Sequence, residues 1–260
     1  SAGVLLVALV TRASAEGLAL QPGARAGKFQ GQCRACDQAL KILFEEPYAI
    51  MNPDSPKPGC KKLKFLSERS DMLAELVTKN RSYRRFDEIV PVTMETLRDL
   101  VNLARLSPSA RNAQPLKYIL ACDAEKNALI FPTLAWAGYL KDWGGPKPGE
   151  RPTAYIVILG DKDIAQNFGV DPGIAAQSIL LGAVEQGLGG CIIASVQRST
   201  LSAALQIPER YEILMVIALG KPVEVVQLES LPEHGDIRYW RDEQGVHHVP
   251  KRSLEDVILS

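Results

Sequence analysis

The chain is poor in the residues from which most metal and nucleophilic centres are built. It has three histidines in 260 residues, and its five cysteines (33, 36, 60, 122 and 191) are odd in number and scattered. That pattern excludes a disulfide framework and leaves a reducing cytoplasm as the plain reading. Cys33-x-x-Cys36, with Cys60 downstream, has the outline of half a metal site or a redox pair, but the four-cysteine spacing of an iron–sulfur segment is missing. His234 stands alone, and the adjacent His247 and His248 point apart if they lie in a strand, so no metal is expected. No Ser-His-Asp or Cys-His grouping stands out. Thirty basic residues balance thirty acidic ones, leaving no overall field for nucleic acid or an anionic membrane. Local basic clusters therefore read as sites. The apolar run Val4 to Val10, followed by Ala13-Ser14-Ala15, has the look of a signal segment, but no positive charge precedes it. It is too short to span a bilayer, and no other stretch reads as transmembrane.

What is present is ordinary for a chain that buries a full core: 46% hydrophobic and 23% charged residues. Residues 1–69 differ in texture, with a Gly, Ala and Gln-rich stretch over 17–32 and three prolines between Asn52 and Gly59. They read as an extension, poorly ordered or draped over a main domain at 70–260. Within that domain Asp71 caps a helix carrying Leu73, Leu76 and Val77 at helical spacing. A second helix runs over about 93–106, with Leu97, Leu100, Val101 and Ala104 on one face, and Pro108 follows it. Strands are expected at 117–122, 155–159, 191–193 and 212–219, and a short helix at 201–205. Asp171 as N-cap and Pro172 at the first helical position open a buried helix that Gly187 stops. Helices and strands mix without a regular βαβ series, so the class is α+β.

Four segments carry the chemistry. Arg81-Ser82-Tyr83-Arg84 follows the first helix. Guanidinium forks and a hydroxyl satisfy a phosphate with charge-assisted bonds, although a solvated basic stretch at a helix C-terminus has the same composition. Pro108-Ser109-Ala110-Arg111-Asn112-Ala113-Gln114-Pro115 is either a linking turn or a polar edge for a flat heterocycle. Gly187 to Gly190 leads into a strand ending at Ala194 and Ser195, and it lacks the strand-before, helix-after setting of a dinucleotide loop. Lys251-Arg252 is a basic pair ahead of Glu255 to Leu259. In addition Trp136, Tyr139 and Trp143 lie in a Gly- and Pro-rich stretch, as core or as a lid.

In order and spacing these segments resemble the nitroreductase family, over about residues 71–260. The match rests on Arg81-Ser82-x-Arg84 and on the full Pro-Ser-x-x-Asn-x-Gln-Pro loop. The resemblance implies a nitroreductase-like fold, a mainly antiparallel sheet flanked by helices, in an intertwined homodimer. It implies flavin mononucleotide (FMN) at two subunit-interface sites, with Arg81, Ser82, Arg84, Lys251 and Arg252 toward the phosphate. Pro108, Ser109, Ala110, Asn112 and Gln114 would reach the flavin from the partner subunit, and Ala194 and Ser195 would pass its N5. Trp136, Tyr139 and Trp143 would form a substrate lid. The implied activity is ping-pong hydride transfer from NADH or NADPH to a small acceptor, nitroaromatic or quinone-like, with no catalytic acid or base assigned. A reductive dehalogenase, a flavin-destroying enzyme or a flavin storage protein are the alternatives.

Overall fold

A computed structural model describes residues 72–233 and 235–259. The extension at 1–69, Asp71, Cys33, Cys36, Cys60 and His234 lie outside the described residues. The first helix, α1 (72–79), leads directly to the Arg81–Arg85 segment and a short strand β1 (Phe86–Asp87). Helix α2 (Met94–Leu106) starts where Thr93 accepts the Thr96 N–H on its hydroxyl, a side-chain N-cap. It buries Leu97, Leu100 and Ala104, the face anticipated from their spacing.

The central sheet is antiparallel throughout. Strand β3 (Ala154–Asp161) is buried along its whole length between β2 (Leu116–Ala121) and β5 (Tyr211–Pro222). Strand β4 (Gly189–Ile193) and β1 pair with different stretches of β5. One face packs under α2 and helix α4 (Asp171–Glu185) through Ile156, Ile158, Ile217 and Leu219. The other face, with Tyr155, Val157, Val216 and Ala218, packs against Ile130, Leu201 and Ile207. Both faces are thus covered, which is why β3 reads as a continuous apolar run rather than an alternating one. Removing a buried side chain such as Leu100 by substitution to Ala costs about 2–5 kcal/mol.

Asp171 is not the cap of α4. It is the first residue of the helix, Val170 holds the cap position, and Pro172 follows within the first turn. Its buried carboxylate has another task, described below. Helix α3 (Ala124–Ile130), capped by Asp123, was not anticipated from the sequence, whereas the short 3-10 turn Phe131–Thr133 fits the helical entry expected for the loop that starts at Phe131. Seven residues give too few turns for a periodic signal. Helix α5 (Arg198–Ala204) precedes β5.

The C-terminal part adds a small separate sheet that the sequence did not announce. Strands β6 (Val226–Ser230) and β8 (His247–Lys251) run parallel, and β7 (Trp240–Arg241) pairs antiparallel with β8. After Lys251 the chain makes turns at 255–257, not a helix.

Candidate functional site

The Arg81–Arg85 segment is pinned by backbone. Ser82 forms an isolated parallel bridge with Gly190 of β4, and the Tyr83 N–H donates to the Gly190 carbonyl at 3.0 Å. A methyl at Gly190 would fall 2.6 Å from the Ala218 carbonyl oxygen, and one at Gly189 would fall 2.5 Å from the Tyr83 ring. The two glycines are therefore there for close approach, not for turn conformation. From the other side Glu224, its side chain 1% exposed, accepts the Arg84 N–H and, at 3.2 Å, the Arg85 N–H. The Arg241 guanidinium balances that carboxylate at 2.9 Å. One buried charge thus fixes two backbone amides and stays paired, as burial requires.

This anchoring turns the cations inward. Asn80, Arg81, Ser82, Arg84, Tyr239, His247 and Lys251 line a cavity of about 270 Å³ with no carboxylate among its walls. Arg81 Nε is buried there with no hydrogen-bond partner, although Nη2 donates to the Val77 carbonyl at 2.8 Å. Arg252 is exposed beyond the end of β8 and lines neither this cavity nor its neighbour.

The neighbouring cavity, about 160 Å³, shares Arg84 and Tyr239 with the first. One wall is Cys191 to Ser195 at the end of β4; the other is Ala135 to Gly138. The walls are joined where the Ala135 N–H donates to the Ser195 carbonyl at 3.0 Å and where Leu134 bridges Val196. Ala194 and Ser195 are exposed at its rim. Cys191 is buried, and burial pushes its thiol above the usual range, which makes it an unreactive wall residue.

The three aromatics separate by role. Trp136 lines the smaller cavity, packs on Phe131 with ring centroids 6.0 Å apart, and fills the space where Gly145 lacks a side chain. Tyr139 is exposed and rests on Tyr239 at 4.9 Å. Trp143 lies under the Arg241 guanidinium at 5.0 Å. Segments 139–143 and 239–241 therefore lean on one another beside the site. Tyr239, His247, Glu224 and Arg241 were missed from the sequence because none belongs to a recognisable motif.

The Pro108–Pro115 loop lies elsewhere on the chain. None of its residues lines either cavity. The Asp171 carboxylate accepts the Ala110 N–H at 2.9 Å, and the Ser109 hydroxyl accepts the Gln114 N–H at 3.0 Å. Arg111, Asn112 and Gln114 all take positive φ, between 51° and 53°. Such backbone costs about 1–3 kcal/mol per residue and is kept where the surroundings dictate it. The loop so held presents Pro108, Ala110, Asn112 and Gln114 outward, and beneath it Tyr118 is pushed up to about 12 by burial and by Asp171.

A larger cavity, about 610 Å³, opens near α3 and shares no residue with these two. Its polar walls are partly paired: Asn127 donates to the Thr153 carbonyl at 2.8 Å and Arg151 stacks on Phe131 at 4.4 Å, while Asn127 Oδ1, Arg151 Nε and Thr153 Oγ1 are buried without a hydrogen-bond partner. The convergent cations are at the smaller pair of cavities, and chemistry outweighs volume.

Comparison with known proteins gives a consistent picture. The profile of the nitroreductase family matches residues 77–221. The chain is 25% identical over 178 residues to the NADPH-flavin oxidoreductase of Vibrio harveyi, spanning 62% of this chain and 70% of that one. It is 24% identical over 180 residues to YodC of Bacillus subtilis (strain 168), provisionally named an NAD(P)H nitroreductase, spanning 58% and 89%. Its fold resembles that of the nitroreductase family protein from Streptococcus pneumoniae TIGR4, with a TM-score of 0.53 at 18% identity, covering 72% of this chain and 99% of that one. Tyr239, His247 and Lys251 lie beyond the matched range. Tyr239 and His247 enter the site by geometry alone, while Lys251 was also expected there from the resemblance.

Proposed function

The chain belongs to the nitroreductase family, and from that premise we propose that it is an FMN-dependent oxidoreductase. In this reading it draws hydride from NADH or NADPH and reduces a small organic acceptor, nitroaromatic or quinone-like. The observation that carries the reading is the convergence of Arg81, Ser82, Arg84 and Lys251 on one carboxylate-free cavity that adjoins a second, less basic one.

The residues fit the cofactor. A phosphate monoester brings close to two negative charges and strong acceptor oxygens, and the orphaned Arg81 Nε is a donor awaiting one. Arg84 stands between the two cavities, able to reach the phosphate end or the ring end. Ala194 and Ser195 are small enough to leave a planar ring and a stacked substrate room at the β4 rim. FMN held there would supply the two-electron chemistry between nicotinamide and acceptor. No side chain is assigned as acid or base.

A homodimer is part of the proposal. The smaller cavity, about 160 Å³, falls short of the roughly 300–1,000 Å³ of a working ligand pocket. The braced, outward-facing loop Pro108–Pro115 touches neither cavity of its own chain. A second copy contributing that loop would complete the site.

The visible spectrum of the purified protein tests this, with mass identification of the released chromophore. Released FMN, with bleaching by NADH or NADPH under anaerobic conditions, is expected. A colourless protein that takes up no added FMN would overturn the reading.

A further inference from the structure

His247 is a buried polar residue of the cation-lined cavity that no motif accounts for. It lies on β8, 163 residues from Arg84, with its Nε2 at 3.4 Å from Arg84 Nη1. The residue is 1% exposed, its ring 5.1 Å from that of Tyr239, and its Nδ1 is buried without a hydrogen-bond partner. Guanidinium nitrogens only donate. With Arg84 as donor, Nε2 accepts, so the imidazole proton sits on Nδ1, where nothing receives it. Orphaned buried N–H groups are rare in proteins because the cost is that of an unmade hydrogen bond. The Arg84 contact thus sets the His247 tautomer and leaves the Nδ1 proton without an acceptor.

An anion reverses the preference. An oxygen placed between the two groups accepts from Arg84 and from Nε2–H together, and the proton leaves Nδ1. Burial, with Arg84, Arg241 and His248 adding to it, lowers the imidazole to about 4. The ring therefore enters the site neutral, as a directional donor that adds no further charge to Arg81, Arg84 and Lys251. Glu224, the carboxylate behind Arg84, is occupied by Arg241 and two backbone amides.

Resting on the flavin reading above, we propose that His247 is a further ligand of the FMN phosphate, donating from Nε2 to an oxygen it shares with Arg84.

Titrating apoprotein with FMN and with riboflavin, which lacks the phosphate, tests this in wild type, H247L and H247Q. A hydrogen bond to a charged group implies a roughly ten- to hundredfold weaker FMN Kd in H247L. Riboflavin affinity should not change, and Gln, which keeps a donor at the ring's far end, should restore much of the loss. In wild type, ¹⁵N-histidine spectra should show the proton move from Nδ1 to Nε2 when FMN binds. Equal FMN affinity in H247L and wild type, an equal loss of FMN and riboflavin, or an Nδ1 proton that stays in place would overturn the proposal. If H247L does not fold, H247Q and the wild-type spectra decide. Wild type that binds neither flavin would instead sink the cofactor reading.

Discussion

Ser82 is bridged to Gly190, so the Arg81–Arg85 segment hangs from the strand that also walls the smaller cavity. A change at one glycine should then be felt in both cavities. In G190A the new methyl would sit 2.6 Å from the Ala218 carbonyl oxygen, a backbone atom that cannot swing away. Overpacking of this kind costs about 1–3 kcal/mol. Urea denaturation should show that loss, accompanied by weaker FMN binding. Unchanged stability would mean that β4 and β5 separate more easily than their register suggests.

Arg81 and Arg84 should matter for the cofactor far more than for the fold. Each charge-assisted bond contributes about 1.5–3 kcal/mol, so the R81A/R84A double variant should lose FMN on gel filtration while keeping its helical circular dichroism. Retention of FMN with wild-type affinity would remove the phosphate assignment.

Glu224 holds the same segment from behind, and its loss should be structural. E224A would leave Arg241, 17% exposed, without its carboxylate and two backbone amides without an acceptor. Breaking a buried pair on one side costs about 3–5 kcal/mol. A fall in the thermal midpoint is expected, smaller in E224Q, where a carbonyl oxygen still accepts. A thermally silent E224A would show that the segment is held by Gly190 alone.

The small sheet gives stability a pH dependence of predictable sign. His248 stacks on Trp240 at 4.0 Å, donates to Glu229 and lies 3.1 Å from Asp242. Its pKa is raised above 6.5, first by the hydrogen bond to Asp242. That stabilisation is full below about pH 6.5 and is lost as pH rises through the folded value. Asp242 is lowered below 3.8, chiefly by His248. Its share is present above that value and disappears as pH falls through the folded one. Urea midpoints at about pH 6 and about pH 9 should differ in wild type and converge in H248Q. Equal wild-type midpoints would refute the pairing.

The aromatic residues should divide in function. Tyr139 and Tyr239, in contact at the cavity edge, should change the relative kcat/KM of nitroaromatic and quinone acceptors when replaced by Leu. Trp136, wedged against Phe131 and the Gly145 backbone, should instead lower stability when replaced by Ala. Identical acceptor preference in Y139L and Y239L would return both tyrosines to a packing role.

Much of this protein can be read without its coordinates. The spacing of Leu97, Leu100 and Ala104 announced α2, because helical periodicity is a local property. Strands β3 and β5 declared themselves as buried apolar runs. Arg81-Ser82-x-Arg84 and the Pro108–Pro115 loop stand out because their residues are contiguous. Asp171 shows where local reading stops: its type and its neighbour Pro172 signal a cap, while its carboxylate is taken by the Ala110 N–H, 61 residues earlier in the chain.

What only tertiary structure decided is which distant groups meet the cations. Glu224 reaches Arg84 because β1 pairs with the end of β5, and Tyr239 and His247 reach it from the C-terminal segment that carries β8. The sequence shows that His247 and His248 point apart if they lie in a strand, but not what each one faces. Strand geometry sends one toward Arg84 and the other toward Glu229 and Asp242, since successive side chains take opposite faces. Their contrasting protonation follows from burial among cations on one face and paired carboxylates on the other. Sequence order contains the residues; the charges that each one faces are set by packing.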